Sequence, residues 1–506
     1  MAVDKKQPTQ AQTAVAVEEL VAQDNLAPIL DEVLNKLEIT EGANREDVRA
    51  ALALLISQVA DVGPDSLTRL DSLLGEVCST LEQKVHRQVD EILHAPTFQQ
   101  YEARWSGLAQ LVGESTGGAQ VSVLSAALEE IREDLTENDL GESAMHAQLY
   151  KKGIGQEGET PIGAIIAGFG FGTTAQDAKL LKNLSNLAAE IHAPFFANLD
   201  PSGIKKDWKS FDGLPTLTAG QIKELFAEEN KPDWMGLRNH PNSRYIGLLM
   251  PRVVGRLPYD KDTNPAGPGL KNYTEHLSGR ADHLYISASY LLGRQILRSF
   301  ARTGLPSNIA GRESGGLIEG LVAPKFDAIP GQVEGNFPTE VLIDYKQEHA
   351  LSVDVGLIPV IAKKGSTEAF FIGLPSVQRP KDFGNTAAGQ DATINFARAT
   401  LLDNMLLVSR FAHCVNHMQR ALGGAKLDGT VIKKRIEEWL NDFKYPPQPM
   451  DPELAQKHPI KSFSVNVTPH PKRPGWYSVD VQITPIDPYQ GADIALSFVK
   501  EGQPKG

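Results

Sequence analysis

Two cysteines in 506 residues, Cys78 and Cys414, are too few and too far apart to build a disulfide framework. Free thiols in a reducing compartment are the expectation. Long apolar runs are missing too. No stretch approaches the roughly 18 residues needed to cross a bilayer, which excludes a helical membrane span. The opening MAVDKKQPTQAQTAVAVEEL has no apolar core behind its two lysines, so no secretory signal is expected. Positive charge is in deficit: the formal net charge of −13 argues against nucleic acid as the main partner. No internal repeat is visible.

What is present suits a soluble globular protein of two or three domains, with hydrophobic residues at 41% of the chain. Residues 1–14 are polar and read as a disordered tail. Residues 15–112 carry helical patterning, with a start signalled by Asn44 and Asp47. The segment 67–93 places Leu67, Leu70, Leu74, Val77, Leu81, Val85, Val89 and Ile92 at spacings of three and four, one apolar stripe over about seven turns. Such a stripe needs a partner surface on the body or on another chain.

Residues 113–390 read as mixed α/β. The apolar runs QVSVL (120–124), PIGAIIAGF, APFFANL, RYIGLLM and FPTEVLI (337–343) are expected as strands between helical stretches. KDTNPAGPGLKN (261–272) is expected as a surface loop. From Asp391 one strong helix is expected through Leu422, then a second over 428–443. Three C-terminal segments alternate with period two: Phe463, Val465 and Val467; Tyr477, Val479, Val481 and Ile483; Ile494, Leu496 and Phe498. Each reads as a half-buried strand.

Candidate chemistry fails on spacing. AIIAGFGFGTTAQDAKLLKNL (164–184) has the strand, glycine loop and helix order of a phosphate cradle. Its third glycine, Gly172, comes one residue early for G-x-G-x-x-G, and no Gly-Lys-Ser/Thr follows. Phe169 and Phe171 stand where a pyrophosphate needs bare backbone. The loop therefore reads as a turn. His413, Cys414 and His417 place two imidazoles on one helix face, short of the ligand count of a zinc site. GRESGG (311–316) is not a nucleophile elbow. Arg252 and Arg256, flanked by apolar residues, are expected to pair with carboxylates.

Seven stretches, in order, resemble the large subunit of the type VI secretion system contractile sheath. They are EILHAPTFQQYEARWSGLAQLV (91–112), AQDAKLLKNLSNLAAEIHAPFFA, SRYIGLLMPRVVGRLPY (243–259), GGLIEGL, FPTEVLIDYKQEHALSVDVGLIPV, AFFIGLPSVQRPKDF and SRFAH (409–413). The chain departs from the family's usual wording after SRFAH and in its last strand, TPIDPYQGADIALSFV.

The resemblance implies a contractile tail-sheath-like fold. It would have an N-terminal helical arm (15–112), an α/β sheath body (113–390), and a C-terminal domain (391–506) of helices and a small sheet completed by neighbouring chains. It implies a structural subunit with no catalytic residue, cofactor or metal, acting in the cytoplasm. Its partners would be a small sheath subunit, neighbouring protomers, a hexameric inner tube, a baseplate and an AAA+ ATPase that disassembles the contracted sheath. Neither nucleic acid nor membrane insertion is implied. Candidate inter-subunit strand contacts are Phe463, Val465, Val467, Tyr477, Val479, Val481, Ile483, Ile494, Leu496 and Phe498, because three short strands leave open edges. Candidate small-subunit helix contacts are Leu30, Leu34, Leu37, Leu52 and Leu55. A one-polypeptide sheath of a phage-tail-like particle is the alternative, and a nucleotide-binding enzyme using Gly168–Gly172 the weaker one.

Overall fold

The computed structural model describes residues 66–115, 118–151, 153–154, 159–324, 326–329, 332–334, 336–421, 428–449, 451–470, 477–486 and 494–498, with Val48, Ala50 and Ala51. The principal helices are α1 (Ser66–Leu93), α2 (Pro96–Gly113), α3 (Leu128–Glu137), α4 (Ala175–Ile191), α5 (Ala288–Thr303), α6 (Ala387–Ala399), α7 (Leu402–Ala421) and α8 (Gly429–Asn441). The strands that matter below are β1 (Ile165–Phe171), β2 (Phe195–Leu199), β3 (Ile246–Met250), β4 (Leu317–Ile318), β5 (Ile358–Ala362) and β6 (Ala369–Phe371). Near the C-terminus follow β7 (Ile460–Pro469), β8 (Tyr477–Pro485) and β9 (Ile494–Phe498).

Two compact units are distinguished. One comprises α1 and Tyr273–Glu275, and the other runs over His94–Asn272 and from His276 onward. In the first, the Tyr273 hydroxyl donates to Asp90 of α1, and the His86 ring meets the Tyr273 ring edge-on, centroids 5.3 Å apart.

The second unit is built on a mixed six-stranded sheet in the order β1–β2–β3–β5–β6–β4. β1, β2, β3 and β5 are parallel neighbours, while β6 pairs antiparallel with both β5 and β4. Every residue of β2 and β3 is buried, which is why FFANL and IGLLM are apolar almost without alternation. Side chains on a strand point alternately to its two faces, so the run splits between two cores. Phe195, Ala197 and Leu199 join Leu180, Leu181, Leu184 and Leu187 of α4. Phe196 and Leu249 join Leu291 and Leu292 of α5.

Helix ends follow their local chemistry. Thr174 caps α4 by accepting from Asp177 N at 3.2 Å, and Ser287 caps α5 by accepting from Ser289 N at 3.3 Å. Gly304, in the left-handed conformation at φ 72°, ends α5.

Four sequence expectations need correction. GFGFG (168–172), expected as a turn, is mostly strand, since Gly168–Phe171 complete β1 in pairing with β2. QVSVL (120–124) forms no strand, and Val123 and Leu124 lie exposed. FPTEVLI (337–343) is also irregular: its ladder is an isolated bridge from Thr339 to Val253, flanked by backbone bonds from Val254 N to Pro338 O (2.8 Å) and from Glu340 N to Arg252 O (2.9 Å). It is apolar because Phe337, Val341 and Ile343 are buried, so hydrophobicity there reports core position and not a ladder. The helix expected from Asp391 is two: α6 starts earlier, capped by Thr386, and the chain breaks at Thr400–Leu401. There Leu402 N bonds to Leu374 O at 2.8 Å, and Leu401 bridges to Pro375, drawing the backbone out of the helix. Residues 261–272 do form a surface loop, with short turns only.

Candidate assembly surfaces

The C-terminal sheet has β8 at its centre, antiparallel to β7 on one side and β9 on the other. Its register sets Phe463 opposite Ile483, Val465 opposite Val481 and Val467 opposite Val479. Across the other ladder, Ile494 pairs with Ile483, Leu496 with Val481 and Phe498 with Val479. Val465, Val479, Val481 and Ile483 are buried, with Phe463 and Val467 packed beside them, in a third core with Phe411 and Val415 of α7 and Ile436 and Leu440 of α8. Trp439 and Phe443 meet the Phe411 ring edge-on at 5.6 and 5.4 Å. Tyr477 is half-buried and packs against Gly429 at the start of α8. The alternating apolar positions therefore hold this sheet on its own helices.

What the sheet offers a neighbour is backbone. Only the first residue of β7 is engaged outward among the described residues: Ile460 N bonds to Phe443 O at 3.1 Å and Tyr445 N to Ile460 O at 2.8 Å. Beyond Ile460 the β7 edge has no further backbone partner outside β8 among the described residues. The opposite face carries Ser462, Ser464, Asn466 and Thr468 along β7, with Ser464 Oγ donating to Gln482 Oε1 at 3.2 Å across to β8 and Lys461 exposed at the strand's bulged start. Proline at Val481 would remove a ladder donor from the central strand and disturb the third core as well, so the variant tests more than assembly.

Two helical faces are open to solvent. On α1, Val77, Leu81, Val85 and Ile92 are exposed, the last at 57%. On α2, Phe98, Tyr101, Trp105 and Val112 are exposed, Trp105 at 70%. Their spacings of three, four and seven place them on one face of the helix. The opposite face is buried through Gly107 and Leu111, and ion pairs fasten the helix along its flank and C-terminal end. Glu102 accepts from Arg256 Nε at 2.6 Å, and Glu114 is gripped by Arg294 (3.1 Å) and Arg298 (2.9 Å). The Arg298 hydrogen bond, opposed by burial and reinforced by Arg294, holds the Glu114 carboxyl below the usual range. Sequence reasoning missed the α2 face, although the same period that reveals the α1 stripe was there to find it. Leu30, Leu34, Leu37, Leu52, Leu55 and the Asn44 helix start lie outside the described residues.

The loci weighed as chemistry are structural. The N-terminus of α4 is already occupied by the helix's own carboxylate: Asp177 Oδ2 accepts from Gly172 N at 3.2 Å and Thr174 Oγ at 2.8 Å, while Oδ1 meets Arg132 at 3.1 Å. A phosphate there would meet that carboxylate. Arg252 and Arg256 pair with Glu340 and Glu102. Among the described residues no group of three or more His, Cys, Asp or Glu is placed to hold a metal, and no helix is long and apolar enough to cross a membrane.

His413 is a core residue, its Nε2 donating to Ile191 O at 2.8 Å and so joining α7 to the end of α4. His192 follows in the left-handed conformation (φ 51°), its ring edge-on to His413 at 6.3 Å. Burial, then the neighbouring His413 and Arg244, push the His192 imidazole down to about 4. Burial lowers His413 too, against the pull of the Ile191 carbonyl. Both groups are held neutral in the fold, whereas the unfolded chain takes up protons near pH 6.5. Their contribution is complete above that pH and is lost as pH falls toward 4. The melting temperature is expected to drop across that window. His192→Asn, which tolerates the left-handed backbone, should flatten the acid limb; an unchanged slope would remove the imidazole pair as its cause.

Comparison with known proteins places these surfaces in a context. The EvpB/VC_A0108 tail sheath N-terminal domain matches residues 75–378, and the EvpB/VC_A0108 tail sheath gpW/gp25-like domain matches residues 391–501. The type VI secretion system sheath protein TssC1 of Pseudomonas aeruginosa is 28% identical over 480 residues, covering 94% of each chain.

Proposed function

Because the chain belongs to the EvpB/VC_A0108 tail-sheath family of type VI secretion systems, we propose that it is the large subunit of a cytoplasmic contractile sheath. In this reading it pairs with a small sheath subunit, stacks into a helical tube around an inner tube, and contracts to drive that tube out of the cell. A baseplate starts the process and an AAA+ ATPase recycles the contracted sheath. The role is mechanical, with no catalytic step.

The observation that carries this reading is the β7 edge, which beyond Ile460 has no backbone partner outside β8 among the described residues, on a sheet secured from behind by α7 and α8. Main-chain bonds to an added strand supply affinity without exposing the apolar side chains, which stay in the third core. Such a link can tie one protomer to the next while their bodies rotate, as a transition between two packings of one assembly requires. The exposed faces of α1 and α2 suit helices of a small subunit, with the leucines at 30, 34, 37, 52 and 55 extending that contact. The helical arm, body and C-terminal domain then divide the labour of docking, tube wall and strand linkage.

Co-expression with a small sheath subunit, followed by negative-stain microscopy, tests the proposal. Ribbed tubules that need both chains are expected. Tubules from this chain alone would mark a one-polypeptide sheath instead, and a monomer that ignores the small subunit would end the reading.

A further inference from the structure

Lys231 stands just before the short helix Pro232–Arg238, beside the turns that leave β1 and β2. Its Nζ donates to Thr173 Oγ at 2.9 Å and to the Gly203 carbonyl, and lies 4.2 Å from the centre of the Phe226 ring. Hydroxyl, carbonyl and ring are all neutral. Three other lysines have an anion instead: Lys223 meets Asp354 at 2.9 Å, and Lys433 and Lys434 meet Glu437 and Glu438 at 3.7 Å. Lys231 is half-buried, so solvent still reaches the side chain. A half-buried amine facing only neutral groups has lost hydration of its charged form and gained no counter-ion, which is the arrangement that activates lysine as a nucleophile.

We propose that Lys231 is a site of Nζ-acylation by small activated acyl donors, acyl phosphates or acyl thioesters. The free amine attacks the acyl carbonyl carbon and an N–C bond forms. The bond to the phosphate oxygen or the thioester sulfur breaks, the leaving group departs with the electron pair, and the amine's proton passes to solvent. No oxidant or cofactor is needed. The product amide keeps one N–H for Thr173 or Gly203 and loses the charge over Phe226. The tie between the two turns and the following helix is weakened. This inference does not depend on sheath assembly.

Burial sets the Lys231 ammonium at about 8. At pH 8 about half of it is free base, against below about 1% for an ordinary lysine. The full-length protein is incubated in parallel with acetyl phosphate and with acetyl coenzyme A, and labelling is followed by peptide mass spectrometry. Lys231 should be acetylated at least about tenfold faster than Lys223, Lys433 or Lys434 at pH 8, the faster arm naming the donor class. Its rate should level off above about pH 8. Rates no higher than Lys223 in both arms, or a Lys231 profile still climbing through pH 10, overturn the proposal.

Discussion

Replacing Gly168 by alanine is expected to destabilise the body by about 2 kcal/mol, and replacing Tyr290 by phenylalanine in the same protein should recover much of that loss. Gly168 lies within β1, where alanine would ordinarily help by about 0.5–1 kcal/mol because glycine loses more chain entropy on folding. Here a methyl group would fall inside the Tyr290 hydroxyl, with ring carbon Cζ at 3.0 Å and Cε2 at 3.5 Å. Overpacking a filled interior costs about 1–3 kcal/mol, so the clash wins. Removing the hydroxyl relieves the worst contact.

Gly107 on α2 meets the same ring along its Cδ2–Cε2 edge, away from the hydroxyl. A methyl group there would overlap Cδ2 and Cε2 and stand 3.0 Å from Cγ. Phenylalanine keeps those carbons, so Tyr290→Phe should not rescue Gly107→Ala. Thermal and urea unfolding of the two double variants check this contrast. Equal rescue at both positions, or none at Gly168, would mean that the ring is free to move and the glycines are not required by it.

The second large effect concerns Glu340, only 1% exposed. Its Oε2 accepts from Arg252 Nε at 2.8 Å, and its Oε1 from Arg252 Nη2 at 2.7 Å and from Phe211 N at 3.0 Å. Breaking a buried pair by deleting one partner costs about 3–5 kcal/mol, because the survivor is left as an uncompensated charge. The two deletions should differ. The Arg252 side chain retains 32% exposure against 2% for Glu340, so an orphaned guanidinium recruits water while an orphaned carboxylate stays dry. Arg252→Ala is therefore expected near the upper end of that range and Glu340→Ala near the lower end. Arg252→Met combined with Glu340→Leu should lie closer to the parent than either single change, as hydrophobic replacements of buried pairs do. A double-mutant cycle in urea measures the coupling, and strictly additive losses would deny that the pair acts as one unit.

Both effects rest on features that local sequence patterns do not display. GFGFG reads as a failed nucleotide motif and a simple turn, yet Gly168 and Gly170 lie within a strand and Tyr290, more than 100 positions away, imposes the first of them. Glu340 sits in a run that looks like a strand and is a buried irregular segment. The arginine reading fared better: apolar flanks around Arg252 and Arg256 foretold carboxylate partners, though not which ones.

The sequence alone determined what depends on a few neighbouring residues. Helical stripes of period 3.6, the alternation of β7 and β8, and the ordered motifs of the sheath family were all legible there. Only the tertiary structure decided which apolar run receives a ladder partner. LIPV becomes strand β5 because Ile358 finds Leu249, while QVSVL finds none. It also turned the apolar sides of β7 and β8 toward α7 and α8, leaving the β7 edge beyond Ile460 without a further backbone partner among the described residues and an aromatic face on α2. A helix satisfies its hydrogen bonds within four residues, so its signal is local. A strand satisfies its bonds on a neighbour that can lie a hundred residues away, and only the folded chain identifies that neighbour.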